Sequence, residues 1–288
     1  MSVTLQKIFR LIPLLVTLSL SSCSRPSFSN FNQLGGLRIL TIEALSNQSE
    51  VNPGTTVTLQ PVVSDLNAGG RTINVTIKAC VDPGVDIGAD PECINPDITS
   101  TSSFSTTTLS SNGTYTGEAP TFTVTVPAAP ANYVNAPAYE QYNGVSYLII
   151  YSLQASDGST VTAFKRIMVS SPGKIAKNLN PNFASIAGNG VPLGTNNVYN
   201  AATLKLVPSF QNAPETYQVM NLDGSFSTQI ETLTTTWFIT DGSMQYQRTT
   251  NGDSNQWQPE KPLTRGATMV VVSHDGRAGE SYMILNFN

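Results

Sequence analysis

The chain has 288 residues, 15 basic and 19 acidic, for a net charge of −4, and only 12% of its residues are charged against 40% hydrophobic. A mildly acidic chain this poor in charge lacks the basic patches that nucleic acid requires, so no nucleic acid is expected as a partner. Its wealth of Ser, Thr and Asn suits sheets with hydroxyl-bearing outer faces better than helices.

Lys7 and Arg10 precede an apolar run from Leu11 to Leu20, interrupted by Pro13, Thr17 and Ser19. That length fits the apolar region of a signal peptide and is too short to span a bilayer. The run ends in Leu20-Ser21-Ser22-Cys23, which resembles the bacterial lipobox: an aliphatic residue, two small residues, then cysteine. The resemblance implies that residues 1–22 are a lipoprotein signal peptide. It also implies that the Cys23 thiol takes a diacylglyceryl group and that palmitate-type acyl chains anchor the mature protein. Several chains hold far more firmly than one. Ser24 stands where an Asp would resemble an inner-membrane retention signal, which points to the outer membrane. Without residues 1–22 the balance is 13 basic to 19 acidic residues, or −6. Ser24–Gly36 has no periodic apolar pattern, so residues 23–36 are expected to be a lipidated tether reaching on the order of 20 Å. No later segment is long and apolar enough for a membrane-spanning helix.

Regular alternation begins after Gly36. Val57, Leu59 and Val63 share one side of Thr55–Ser64. In Arg71–Ala79, Ile73, Val75, Ile77 and Ala79 oppose Thr72, Asn74, Thr76 and Lys78. Thr121–Val126, Val145–Ala155 and Val161–Val169 continue the period of two, with Pro-Gly, Asn-Gly and Asp-Gly turns between runs. Short strands at this spacing predict a sandwich or barrel. Cys80 and Cys93 bracket a turn-rich stretch. In an exported chain with the third cysteine assigned to lipid, they are expected to form a disulfide. Asp82, Asp86, Asp90 and Glu92, with Asp97 beyond, crowd this loop, and oxygen-rich loops suit calcium. The ordinary outcome for such residues is a solvated acidic turn. Asn251–Asn255 is a second calcium candidate; no other cofactor is expected. Pro127–Tyr147 is rich in Pro and Ala yet carries Tyr133, Tyr139 and Tyr142. Tyrosines on sandwich loops make efficient contact surfaces, so these three are candidate partner-binding residues. The alternative is that they cover a sandwich edge or pack on the other domain.

The pattern lapses around Ser170–Pro181, which places one domain over residues 37–172 and a second over 173–288. Phe183–Ile186, Thr203–Val207, Leu233–Ile239, Thr268–Val272 and Tyr282–Phe287 supply the second set of strands. Asp275–Gly279 reads as the loop of the closing hairpin. Trp237 is expected in the core. Trp257, in a Gly/Asn/Gln-rich stretch, is expected to be a surface contact like the tyrosines.

LRILTIEALSNQSEVNPGTTVTLQP is similar to the opening of bacterial immunoglobulin-like domains, with a first strand, a Pro-Gly turn and a Thr/Val-alternating second strand. Trp237 in TLTTTWFIT resembles the core tryptophan of an immunoglobulin-type central strand, and VVSHDGRAGESYMILNF resembles the final hairpin. The whole resembles an envelope lipoprotein with two tandem immunoglobulin-like β-sandwich domains. The usual inter-sheet disulfide is missing, since Cys80 and Cys93 are too close in sequence. The resemblance implies an all-β fold used for adhesion or scaffolding, and carries no catalytic residue across.

Ser273-His274-Asp275 invites a catalytic-triad reading, but adjacent strand residues point to opposite faces. The expectation is therefore a lipid-anchored, non-enzymatic binding or adhesion protein of the cell envelope, with an envelope protein or glycan as partner. The alternatives are a structural spacer or assembly subunit, and a polymer-degrading hydrolase using two carboxylates.

Overall fold

The computed structural model describes residues 31–66, 70–84, 91–106, 115–198, 203–260 and 266–288. Cys23, Asp86 and Asp90 lie outside the described residues, as does the signal-peptide segment. In the first half, β1 (Arg38–Ala44), β3 (Thr56–Asp65), β6 (Tyr115–Glu118) and β7 (Phe122–Thr125) make one sheet, with β3 pairing all three others. The second sheet runs β2-β9-β8-β4-β5, built from β2 (Glu50–Val51), β4 (Thr72–Val81), β5 (Ile98–Ser105), β8 (Val145–Ala155) and β9 (Thr160–Val169). The alternation in β4 has the expected effect: Ile73, Val75, Ile77 and Ala79 are buried between the sheets, with Val57, Leu59, Ile149, Tyr151 and Ile167.

The second half repeats the plan. Strands β10 (Phe183–Gly188), β11 (Val191–Pro192), β13 (Leu204–Phe210), β17 (Ser243–Met244) and β19 (Asn255–Gln258) form a sheet ordered β11-β10-β13-β19-β17. Against it lies β12-β21-β20-β16-β18, made of β12 (Asn196–Asn197), β16 (Thr234–Ile239), β18 (Arg248–Thr250), β20 (Ala267–His274) and β21 (Glu280–Phe287). In both halves a short strand split from the first one crosses to the other sheet and pairs in parallel with the last strand: β2 with β9, and β12 with β21. Two antiparallel sheets with this division of strands are immunoglobulin-type β-sandwiches. A separate hairpin, β14 (Thr216–Met220) with β15 (Phe226–Ile230), is inserted before the central strand of the second sandwich. Residues 170–182 between the sandwiches carry no strand. Two short helices, α1 (Ala131–Val134) and α2 (Ala138–Asn143), precede β8.

The sandwiches follow one another in the chain, yet in space they pack by their broad faces. Leu40 and Val62, on the outer side of the β1–β3 sheet, are buried against Phe238, Val270 and Val272 on the outer side of the β16–β20–β21 sheet. This is a third apolar core, so four sheets stack in layers, and Phe31–Asn288 is one compact unit. The expected free tether is also shortened. From Asn32 the chain is docked on the second sandwich: Leu34 N–H donates to Ile239 O and Ile239 N–H to Asn32 O, both at 2.8 Å. Leu34 is buried in the shared core.

Candidate functional site

The polar counterpart of the third core is a buried network at the junction. Its centre is Glu280, the first residue of β21. One carboxylate oxygen meets Lys165 Nζ at 2.9 Å. The other accepts from Thr41 Oγ1 at 2.5 Å. Burial pushes this carboxyl up, but Lys165, His274 and the hydrogen bonds outweigh it and hold it below the ordinary carboxylate range. Lys165 is 1% exposed, and its Nζ also donates to Ala278 O at 2.5 Å. A lysine is tolerated at such depth only when paired and hydrogen-bonded. On the connection, Lys174 Nζ meets Glu50 at 2.6 Å, and Asn178 Nδ2 donates to Asp275 at 2.7 Å. Arg277 pairs with Glu215 and Glu231, each at 3.0 Å, and its guanidinium lies 3.9 Å from the Tyr217 ring centre. Gly279 closes this loop of the second sandwich; a Cβ there would meet Asp275 Oδ2 at 1.9 Å, so only glycine permits the approach.

Beside the network opens a cleft of about 520 Å³. One wall is the outer face of β9, with Phe164, Arg166 and Met168; the other is Tyr217–Val219 of β14; Gly276–Ala278 and Lys174 complete it. The β14–β15 hairpin thus reaches from the second sandwich alongside the first. Asn143 holds it as a strand neighbour would: its Oδ1 accepts from Met220 N–H at 2.8 Å, and its Nδ2 donates to Met220 O at 3.0 Å. Tyr142 packs edge-on to Phe226 at 5.0 Å and lies under Lys174 Nζ at 5.6 Å. The cations around the cleft are already matched, since Arg166 pairs with Asp82 at 2.6 Å. The cleft therefore offers apolar and aromatic surface with its charges neutralised.

The candidate residues fall in different places. Tyr133 packs against the first core. Tyr142 seals the hairpin contact, and Tyr139 has its hydroxyl on Glu140 at 2.8 Å. Trp257 is not a surface contact: it is 0% exposed, its indole N–H donates to Asp241 O at 2.9 Å, and its ring lies 4.5 Å from that of Phe287. Gln256 and Gln258 on either side of it point outward, while Asn255 and Trp257 itself point in. Trp237 is buried in the same core. Cys80 and Cys93 form a disulfide, with Cα atoms 5.8 Å apart. It sits on the outer face of β4 and β8, against Leu148 and Ile150.

Of the acidic loop, Asp82 is committed to Arg166 and to the Gly84 N–H, Glu92 is exposed, and Asp97 accepts from Tyr147. Among the described residues no group of three or more His, Cys, Asp or Glu side chains is placed to hold a metal. In the second candidate, Asn251 accepts from Leu233 N–H, Asp253 from Thr250, and Asn255 bonds the Tyr246 backbone; these side chains serve the turn itself. Ser273 is buried on the inward side of β20, while His274 turns outward, 3.8 Å from Glu280. Asp275 accepts the Arg277 and Gly279 N–H groups. The three do not converge.

Sequence reasoning passed over the junction network. One signal was present. Lys165 stands in phase with Val161, Ala163, Ile167 and Val169 on the inward side of its strand, and a charge in that phase needs a buried partner.

No family model matches the chain, and no curated protein matches it. Among solved structures it is similar to the periplasmic chaperone SfaE, at 8% identity over 88% of this chain and 98% of that one, with a TM-score of 0.29. It is also similar to the D0–D1 domain of intimin, at 11% identity over 86% and 98%, TM-score 0.20. A third is Spo0M, a sporulation control protein from Bacillus subtilis, at 11% identity over 88% and 91%, TM-score 0.25. Likeness at that level fixes neither topology nor function.

Proposed function

We propose that this chain is a lipid-anchored, non-enzymatic binding protein of the cell envelope, held in the outer membrane through Cys23, which takes an envelope partner in the cleft between β9 and the β14–β15 hairpin. The observation that carries the reading is the cleft itself. Two sandwiches and an inserted hairpin, fixed by a buried ion network, present Phe164, Met168, Tyr217 and Val219 around a concavity, the usual form of a recognition site. Asn143 and Gly144, at the end of α2, complete its lining, and calcium has no assigned part. The experiment is crosslinking and pull-down of the lipidated protein from its own membranes, comparing wild type with Phe164→Ser/Val219→Ser. Phe164 is 47% exposed, so the variant keeps its fold. Capture should fall at least about tenfold, as expected when residues of a contact centre are removed. Full capture by the folded variant would remove the cleft from the interface.

One observation favours a second reading, a structural spacer. The third apolar core joins the sandwiches into one body, as a stiff element requires. Co-purification with a fixed complex that ignores the cleft variant would select it.

A further inference from the structure

We infer that Phe31, Arg38 and Arg248 form a membrane-facing patch that binds anionic phospholipid headgroups and sets the protein's orientation on the bilayer. Five arginines lie among the described residues. Arg71, Arg166 and Arg277 each pair with a carboxylate. Arg38 and Arg248 have no carboxylate within 4.0 Å among the described residues, and both converge on one ring: Arg38 lies 5.2 Å and Arg248 5.3 Å from the centre of Phe31. Arg38 also lies 5.4 Å from the Phe238 ring, and one of its nitrogens donates to Phe31 O at 2.8 Å. Phe31 is 41% exposed, and Tyr246, two residues before Arg248, is 52% exposed. Two arginines with no counter-ion among the described residues, in a chain of net negative charge and flanked by half-exposed aromatics, match an interface of phosphate headgroups and upper acyl chain.

The position of the patch in the chain supplies the partner. Phe31 is the first described residue, eight positions after Cys23. Eight residues reach about 28 Å at most, so a lipid on Cys23 keeps this end of the molecule beside the bilayer. The inference rests on the lipid-anchor reading above, and the cleft plays no part in it.

The test uses the full chain purified from its own membranes, with the mass of its amino terminus determined first. The chain is placed in phosphatidylglycerol vesicles and in phosphatidylcholine vesicles, and backbone hydrogen exchange is followed. Exchange at residues 31–38 and 245–250 should slow in the anionic vesicles only. The slowing should vanish in high salt and in Arg38→Gln/Arg248→Gln. Arg248→Gln alone, whose side chain makes no hydrogen bond among the described residues, should weaken the contact about fivefold without touching the fold. Equal exchange in both vesicles, with lipid present on Cys23, overturns the patch. If the terminus carries no lipid, the anchor reading fails by itself and the same chain is sedimented with both vesicles. Selective binding to phosphatidylglycerol then upholds the patch, and no binding overturns it.

Discussion

Trp237 and Trp257 enter the second core from opposite sheets, and each finds a polar partner for its indole N–H: Thr249 Oγ1 at 3.0 Å and Asp241 O at 2.9 Å. Both are 0% exposed, so both substitutions by alanine should cost about 3–5 kcal/mol, the usual loss for a buried large aromatic. Denaturant unfolding of the two variants checks this, and a loss under about 1 kcal/mol at Trp257 would contradict its burial. The tyrosines divide. Tyr139→Ser should leave stability within about 0.5 kcal/mol. Tyr142→Ser removes the ring that meets Phe226 and Lys174, and should speed proteolysis of the β14–β15 hairpin. Trp257 shows what was legible at this scale and what was not. The stretch NQWQ alternates with period two, but its polar neighbours on both sides hid an inward phase of only two residues.

Among the elements, strands with apolar residues on one face were readable: β3, β4, β8, β9, β20 and β21 lie within a few residues of their expected limits. The run of Ser and Thr in β5 gave no such imprint, because an edge strand exposed on most of its length needs no alternation. The β14–β15 hairpin escaped for the same reason, being exposed or half-buried throughout. The Cys80–Cys93 disulfide closes its loop on the back of β4 and β8. Its reduction should cost about 3 kcal/mol in the chain-entropy model, read as a lower melting temperature, and non-reducing peptide mapping should find the two cysteines linked. On β1, burial raises the Glu43 carboxyl to about 7, against the lowering effect of Asn180 and Lys165. The folded state therefore binds more protons than the unfolded chain between about pH 4.5 and 7, and stability falls as pH rises through that window. The loss is on the order of 3 kcal/mol at most, at about 1.4 kcal/mol for each unit. Thermal melts at pH 5 and pH 8 should differ in that sense; burial raises the Glu231 carboxyl to about 7 as well, so Glu43→Gln should reduce the difference without abolishing it. An unchanged slope in the variant would assign the pH dependence elsewhere.

At the scale of the molecule, the sequence announced two sandwiches and was silent on how they meet. Val62, Phe238, Val270 and Val272 lie on the faces that alternation assigns to solvent, the last two within one apolar run of β20, and Leu40 joins them because a β-bulge between Ile39 and Thr41 resets the phase of β1. Only the stacking of the halves makes them one surface. Fully burying a side chain of this size contributes about 1.5–3 kcal/mol, enough over five residues to couple the two sandwiches. Calorimetry should show a single transition whose calorimetric and van't Hoff enthalpies agree. Val270→Asp, which places a charge in the shared core, should split it in two. Two transitions in the wild type would mean that the sandwiches unfold independently.

The docking of residues 32–34 on β16 also decides where a mechanical load would travel. A pull on the chain ahead of Phe31 is resisted first at the Gln33–Ile239 bridge, which belongs to the second sandwich. From there tension passes through the sheet that also holds β21, so the first sandwich stands outside the line of force although it comes first in the chain. Under tension between a fixed amino-terminal end and the closing strand β21, the backbone of the first would carry no load until that bridge opened. A force-extension trace should then show a short, weak release of the docked segment before either sandwich unravels.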